Sequence, residues 1–171
     1  MSVKIKVIKS DSVKYTGYFD LKTLIDQTVS FFDNLKYDVE NPVQIIRKGK
    51  NEEGVYVVKM EQKLNDYFKA HGKITMVYKV EKVNVKDTEA DKEFSLDSGE
   101  ITITIEMSLE HDYDNKFASF PVFGEVIRAI VESIFMKETL TQAKNLVQEH
   151  AELYKQELLR YFNLKAIEKV K

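Results

Sequence analysis

Residues 120–163 read FPVFGEVIRAIVESIFMKETLTQAKNLVQEHAELYKQELLRYFN. No proline follows Pro121 and the single glycine is Gly124, so the stretch carries little that would break a helix. Its apolar residues recur at three- and four-residue steps, the period of an amphipathic helix. They form two groups: Phe123, Val126, Ile127, Ile130 and Ile134 make one stripe, and Leu140, Ala143, Val147, Ala151, Tyr154, Leu158 and Tyr161 make another. At about 100° per residue the two stripes differ in phase by more than about a third of a turn. One straight helix cannot press both against a flat surface. The pattern predicts a C-terminal helical region over 120–163 that either bends near 137–141 or has two halves facing different partners, and the capping-box spacing of Thr139 and Gln142 favours a break.

What precedes this stretch reads as strands with one wet face, which need a cover on the other. Val3, Ile5 and Val7 alternate with lysines, and Val13 and Tyr15 resume the alternation after Asp11-Ser12, giving a hairpin or a bulged strand. Asp20 is a helix cap, Phe19 and Leu24 have the spacing of a hydrophobic staple, and an amphipathic helix is expected over about 20–36. A short strand over 43–47, a polar connection over 49–54 and a strand over 55–64 follow. The next strand puts Phe68, Ala70, Ile74, Met76, Tyr78 and Val80 on one face. After Val80 the phase slips by one residue, which predicts a bulge or the end of the packed sheet. Residues 86–98 are charged and without period, and read as a mobile loop. Ile101, Ile103, Ile105, Met107 and Leu109 then alternate with Thr102, Thr104, Glu106 and Ser108, a half-buried strand. Strands joined by short turns pair antiparallel. The expected fold is a single α+β domain over 1–171: an antiparallel sheet of five or six strands, one face covered by a helix from the N-terminal half and by the long C-terminal helical region.

Composition narrows the function classes. A formal net charge of -2 gives no electrostatic case for nucleic acid. No apolar run approaches the length of a transmembrane helix, and the N-terminus lacks the apolar segment of a signal peptide, so a cytoplasmic location is expected. The absence of cysteine removes disulfides, thiolate metal sites and a thiol nucleophile. Only Arg47, Arg128 and Arg160 are arginine, which weakens any case for bidentate anion binding.

No catalytic motif is present: there is no phosphate loop, nucleophile elbow or HExxH pattern. His71 falls on the wet face of a strand, and His150 lies in a helix without a second histidine one turn away. His111-Asp112-Tyr113-Asp114 is a local cluster of hard-metal ligand types, but Asp-rich turns between strand and helix are common for backbone reasons alone. Lys59, Lys63, Lys69, Lys73 and Lys79 share the wet face with glutamates and read as a mixed-charge solvated surface. No catalytic residue, cofactor or metal is therefore expected.

In element order (strand, helix, antiparallel strands, long C-terminal helix) the chain resembles START-like, helix-grip domains. That resemblance implies an apolar ligand held between sheet and C-terminal helix, here by Tyr56, Phe68, Met76, Tyr78, Met107, Phe123, Ile127 and Ile130. The segments Gly17-Tyr18-Phe19-Asp20-Leu21, Asp66-Tyr67 and Tyr161-Phe162-Asn163-Leu164 also look like those of archaeal-type proteins, a likeness that implies no activity. The leading expectation is a non-enzymatic interaction module. In it, residues 123–134 cover the sheet, and Leu140, Val147, Ala151, Tyr154, Leu158 and Tyr161 meet a protein partner or a second copy, the other reading of that stripe being a second core layer. A carrier of a small apolar ligand is the alternative, and an enzyme of no identifiable class comes third.

Overall fold

A computed structural model describes residues 3–49, 51–87, 91–114, 116 and 123–170. The chain runs β1 (Val3–Phe19), α1 (Leu21–Asn34), β2 (Asp38–Val39), β3 (Val43–Lys48), β4 (Glu52–Lys63), β5 (Phe68–Asp87), β6 (Lys92–His111), α2 (Gly124–Ile130), a π-helical turn (Val131–Phe135) and α3 (Lys137–Val170). The six strands form one antiparallel sheet in the order β1-β6-β5-β4-β2, with β3 also paired to β4. This is the expected α+β architecture.

The first strand is one bulged strand rather than a hairpin. β1 pairs with β6 along its length, with register shifts between Lys6 and Ile8 and between Ile8 and Asp11. At its end Asp20 caps α1 as expected, accepting the Thr23 N–H at 3.1 Å. A second carboxylate joins it from far along the chain: buried Asp97 on β6 accepts the Leu21 N–H at 3.0 Å and pairs with Lys82 Nζ at 2.7 Å. Two acceptors thus satisfy orphan donors of one helix terminus and complement its partial positive charge. The helix ends at Asn34, and Lys36, at φ 69°, turns the chain into β2.

Of the stretch 86–98, residues 86–87 and 92–98 are strand rather than loop, and 88–90 lie outside the described residues. β5 runs to Asp87 and β6 begins at Lys92, and their register is unbroken from Phe68 opposite His111 to Asp87 opposite Lys92. The sequence misleads here because the ribbon projects beyond the packed sheet. Past Val80 it meets the start of α1 through buried Asp97, and its apolar residues change phase, with Val83 opposite Leu96 and Val85 opposite Phe94, while the ladder of backbone hydrogen bonds continues. Opposed charges hold its register: Lys86 faces Glu93 and Lys82 faces Asp97. The phase slip after Val80 therefore marks where the main core ends and not a bulge.

The inner faces of β4, β5 and β6 form the floor of the core. Val58, Met60, Phe68, Ala70, Ile74, Met76, Tyr78, Ile101, Ile103, Ile105, Met107 and Leu109 are all buried. Gly72 leaves room on this face for Met60 and Met107, whose atoms would lie 2.9 Å from an added Cβ. Above the floor lie α1, through Leu21, Leu24, Ile25, Thr28 and Phe32, and α3, which crosses β1 and β6. The outer face is a ladder of opposite charges, with Lys69 to Glu61 at 3.2 Å, Lys73 to Glu106 at 3.8 Å and Lys79 to Glu53 at 3.3 Å. His71 sits among them between Glu61 and Glu110.

Candidate functional site

The C-terminal region breaks where the two apolar stripes lose phase, but the stripes have exchanged roles. Ala143, Val147, Ala151, Tyr154, Leu158 and Tyr161 are buried, and Leu140 is half-buried against the core. They are not an interface. The side of the core formed by β1, β6 and α1 is long enough to take the whole stripe. Tyr154 packs on Phe31 and Phe32, at ring separations of 5.4 and 5.0 Å, and its hydroxyl meets Thr28 Oγ1 at 2.8 Å. Thr28 itself donates to Leu24 O, so Tyr154 is the donor of that pair. Farther along, Phe162 stacks on Tyr15 at 4.4 Å, and Tyr161 Oη accepts Asp20 N–H while donating to Asp20 O.

The supposed cover is the exposed element. Neither α2 nor the π-helical turn contains a buried residue. Phe123 is 66% exposed, Ile134 67% and Phe135 77%, with Val126 and Ile130 about half exposed beside them. Of the large apolar residues here, Ile127, Val131 and Met136 are half-buried. Met136, at φ −115°, ends the segment, its N–H reaching back to Val131 O at 3.0 Å. α3 restarts from Met136 O, which accepts Leu140 N–H at 2.8 Å. Thr139 and Gln142 do not form the break: Gln142 reaches Glu138, within the helix.

One carboxylate ties this exposed segment to the sheet. Glu132, inside the π-helical turn, accepts the Tyr67 hydroxyl at 2.7 Å and lies 2.8 Å from His111 Nδ1. Tyr67 is placed by the β4–β5 turn, where Asn65 Oδ1 accepts the N–H groups of Tyr67 and Phe68 at 2.8 and 2.7 Å. His111 ends β6, and Asp112, at φ 48°, turns the chain so that its own N–H bonds to Tyr67 O at 2.9 Å. Burial, then the hydrogen bond to Glu132, raises the Tyr67 phenol far above its ordinary value, so it serves as a permanent donor. The extra residue of a π turn rotates Glu132 relative to an α-helix, and such turns recur at functional positions. Sequence reading found His111 and Asp112 but assigned them no partner, since Glu132 and Tyr67 are 21 and 65 residues from their contacts.

The residues named for an apolar ligand are not gathered round one space. Phe68, Met76, Tyr78 and Met107 are packed in the core, and Tyr56 stacks with Tyr78 at 6.0 Å. Phe123, Ile127 and Ile130 stand on α2, with Phe123 and Ile130 facing outward. A solvent-open groove of about 610 Å³ lies elsewhere, between α1 and α3, lined by Thr23, Gln27, Phe31, Tyr154 and Leu158 among others. Among the described residues no group of three or more His, Asp or Glu side chains is arranged to hold a metal ion. No described helix is long and apolar enough to cross a membrane. No protein-family model matches the chain, and no curated protein or solved structure matches it either.

Proposed function

We propose that the chain is a non-enzymatic docking module that pairs with a second copy of itself through the outer face of α2 and the π-helical turn. The observation that carries this reading is a twelve-residue helical segment, 124–135, with no buried residue and with Val126, Ile130, Ile134 and Phe135 turned to solvent, as is Phe123 just before it. A contiguous apolar patch of that kind is costly on an isolated molecule and marks an interface. Burial of its aromatic and isoleucine side chains would supply the anchoring contacts on which interfaces depend.

A second copy fits because the charges beside the patch are self-complementary. Glu125 and Lys137 are exposed and lie at opposite ends of the segment. An antiparallel two-fold pairing centred near Val131 sets Glu125 of each copy against Lys137 of the other, the isologous arrangement typical of dimers. The segment has too few cations for an anionic lipid surface: its one cation, Arg128, is outnumbered by Glu125 and Glu132.

Charge reversal tests the reading. Glu125→Lys and Lys137→Glu, each alone, should weaken self-association by about an order of magnitude, and the double reversal should restore it. A chain that sediments as a monomer at every concentration contradicts the proposal, as does a double reversal no better than its single variants.

A further inference from the structure

The sheet has two edges, and they are treated differently. β1 is bulged twice, crossed by α3 and tied to it by Lys155 to Asp11 at 2.8 Å. At the other edge β2 and β3 both pair with β4, and the chain between them carries one extra residue: Val39 faces Met60 while Val43 faces Val57. That bulge, with Pro42 in it, blunts the β2 half. Bulges, proline and covering elements are the devices by which sheets keep edges from pairing. β3 has none of them. Its side away from β4 has no strand partner among the described residues. Val43 is 59% exposed and Ile45 66%, and Ile46 on the opposite face is also exposed.

We infer that β3 is a second docking site, which takes an extended segment of a different protein as a seventh strand. A row of unpaired backbone N–H and C=O groups specifies an extended backbone as its occupant. The side chains specify its sequence. Val43 and Ile45 on the outer face continue into Val57 and Val55 across β4, so apolar β-branched residues suit the positions opposite them. Arg47 is exposed at the end of the strand, and its neighbour Glu53 is engaged by Lys79 at 3.3 Å. An acidic residue therefore suits the position opposite Arg47. Self-pairing does not meet this requirement: an antiparallel β3–β3 dyad on Ile45 sets Arg47 of each copy against Val43 of the other. The occupant is an antiparallel segment that begins with an acidic residue opposite Arg47 and has apolar β-branched residues two and four positions on.

Fluorescence anisotropy of the full chain tests this with a labelled seven-residue peptide that opens with glutamate and then alternates threonine and valine. Two further copies are N-methylated, one on odd residues and one on even. Strand addition predicts saturable binding, weakened at least about ten-fold by one methylated set and unchanged by the other, because only one edge of the peptide bonds to β3. Arg47→Glu should transfer preference to a peptide of the same sequence that opens with lysine in place of glutamate. Absence of saturation at millimolar peptide, equal effects of the two methylated sets, or an oligomer of the chain dispersed by Ile45→Lys would each overturn the inference.

Discussion

His150 shows how one side chain carries a pH dependence. It is buried on α3, with Nδ1 2.9 Å from the Tyr37 hydroxyl. Burial lowers its pKa, opposed by the neighbouring Glu149 charge. A histidine with a folded pKa below its unfolded value binds fewer protons folded than unfolded in the interval between them. Its contribution to stability is whole above the unfolded value, about 6.5, and is lost as pH falls below it. Urea denaturation should therefore give falling stability from about pH 7 toward pH 5, with a shallower slope in His150→Gln than in the native chain. Glu132 makes a local prediction. Glu132→Ala removes the acceptor shared by Tyr67 and His111, at a cost of about 1–3 kcal/mol. Hydrogen exchange should quicken over residues 124–135 and stay unchanged in α1. The Asp20 cap was legible in the sequence because donor and acceptor are three residues apart. The Asp97 cap was not, because its donor is 76 residues away and no local spacing announces it.

At the scale of elements, periodicity located the helices and their break but could not say which stripe met the sheet. Both stripes are apolar enough. What separates them is the surface opposite, and the bulged β1, the long β6 and α1 together form a trough for the longer one. One sign was available: residues 123–135 are apolar round more than half of the helix, broken chiefly by the row Glu125, Arg128 and Glu132, whereas 140–161 is mostly polar off its main stripe, Leu146, Leu153 and Leu159 apart. The extended β5–β6 ribbon was missed for a related reason, since a ladder beyond the core needs no apolar period. The assignment of α3 as core and α2 as surface predicts opposite outcomes for equal truncations. Leu158→Ala should destabilise by about 2–5 kcal/mol in denaturant titration, as buried leucines do. Ile134→Ala should change stability by less than about 0.5 kcal/mol in the isolated chain, as exposed positions do.

For the whole molecule, the order of elements and the wet-faced sheet were readable because alternation and turn residues are local properties, and short turns imply antiparallel neighbours. The apolar excess of the C-terminal region was readable as a total, but its exposed part was assigned to the wrong half. Once Leu140, Val147, Ala151, Tyr154, Leu158 and Tyr161 are taken up by the core, the most exposed apolar residues of this region are Phe123, Val126, Ile130, Ile134 and Phe135, with Leu146, Leu153 and Leu159 less exposed along α3. The measurement that bears most directly on this account is sedimentation equilibrium of the native chain beside Ile134→Asp and Leu146→Asp, exposed aliphatic positions in the π-helical turn and on α3. The account predicts that the native chain and Leu146→Asp reach the mass of a dimer while Ile134→Asp stays folded at the mass of one chain. A dimer that survives Ile134→Asp, or one dispersed by Leu146→Asp instead, would contradict it.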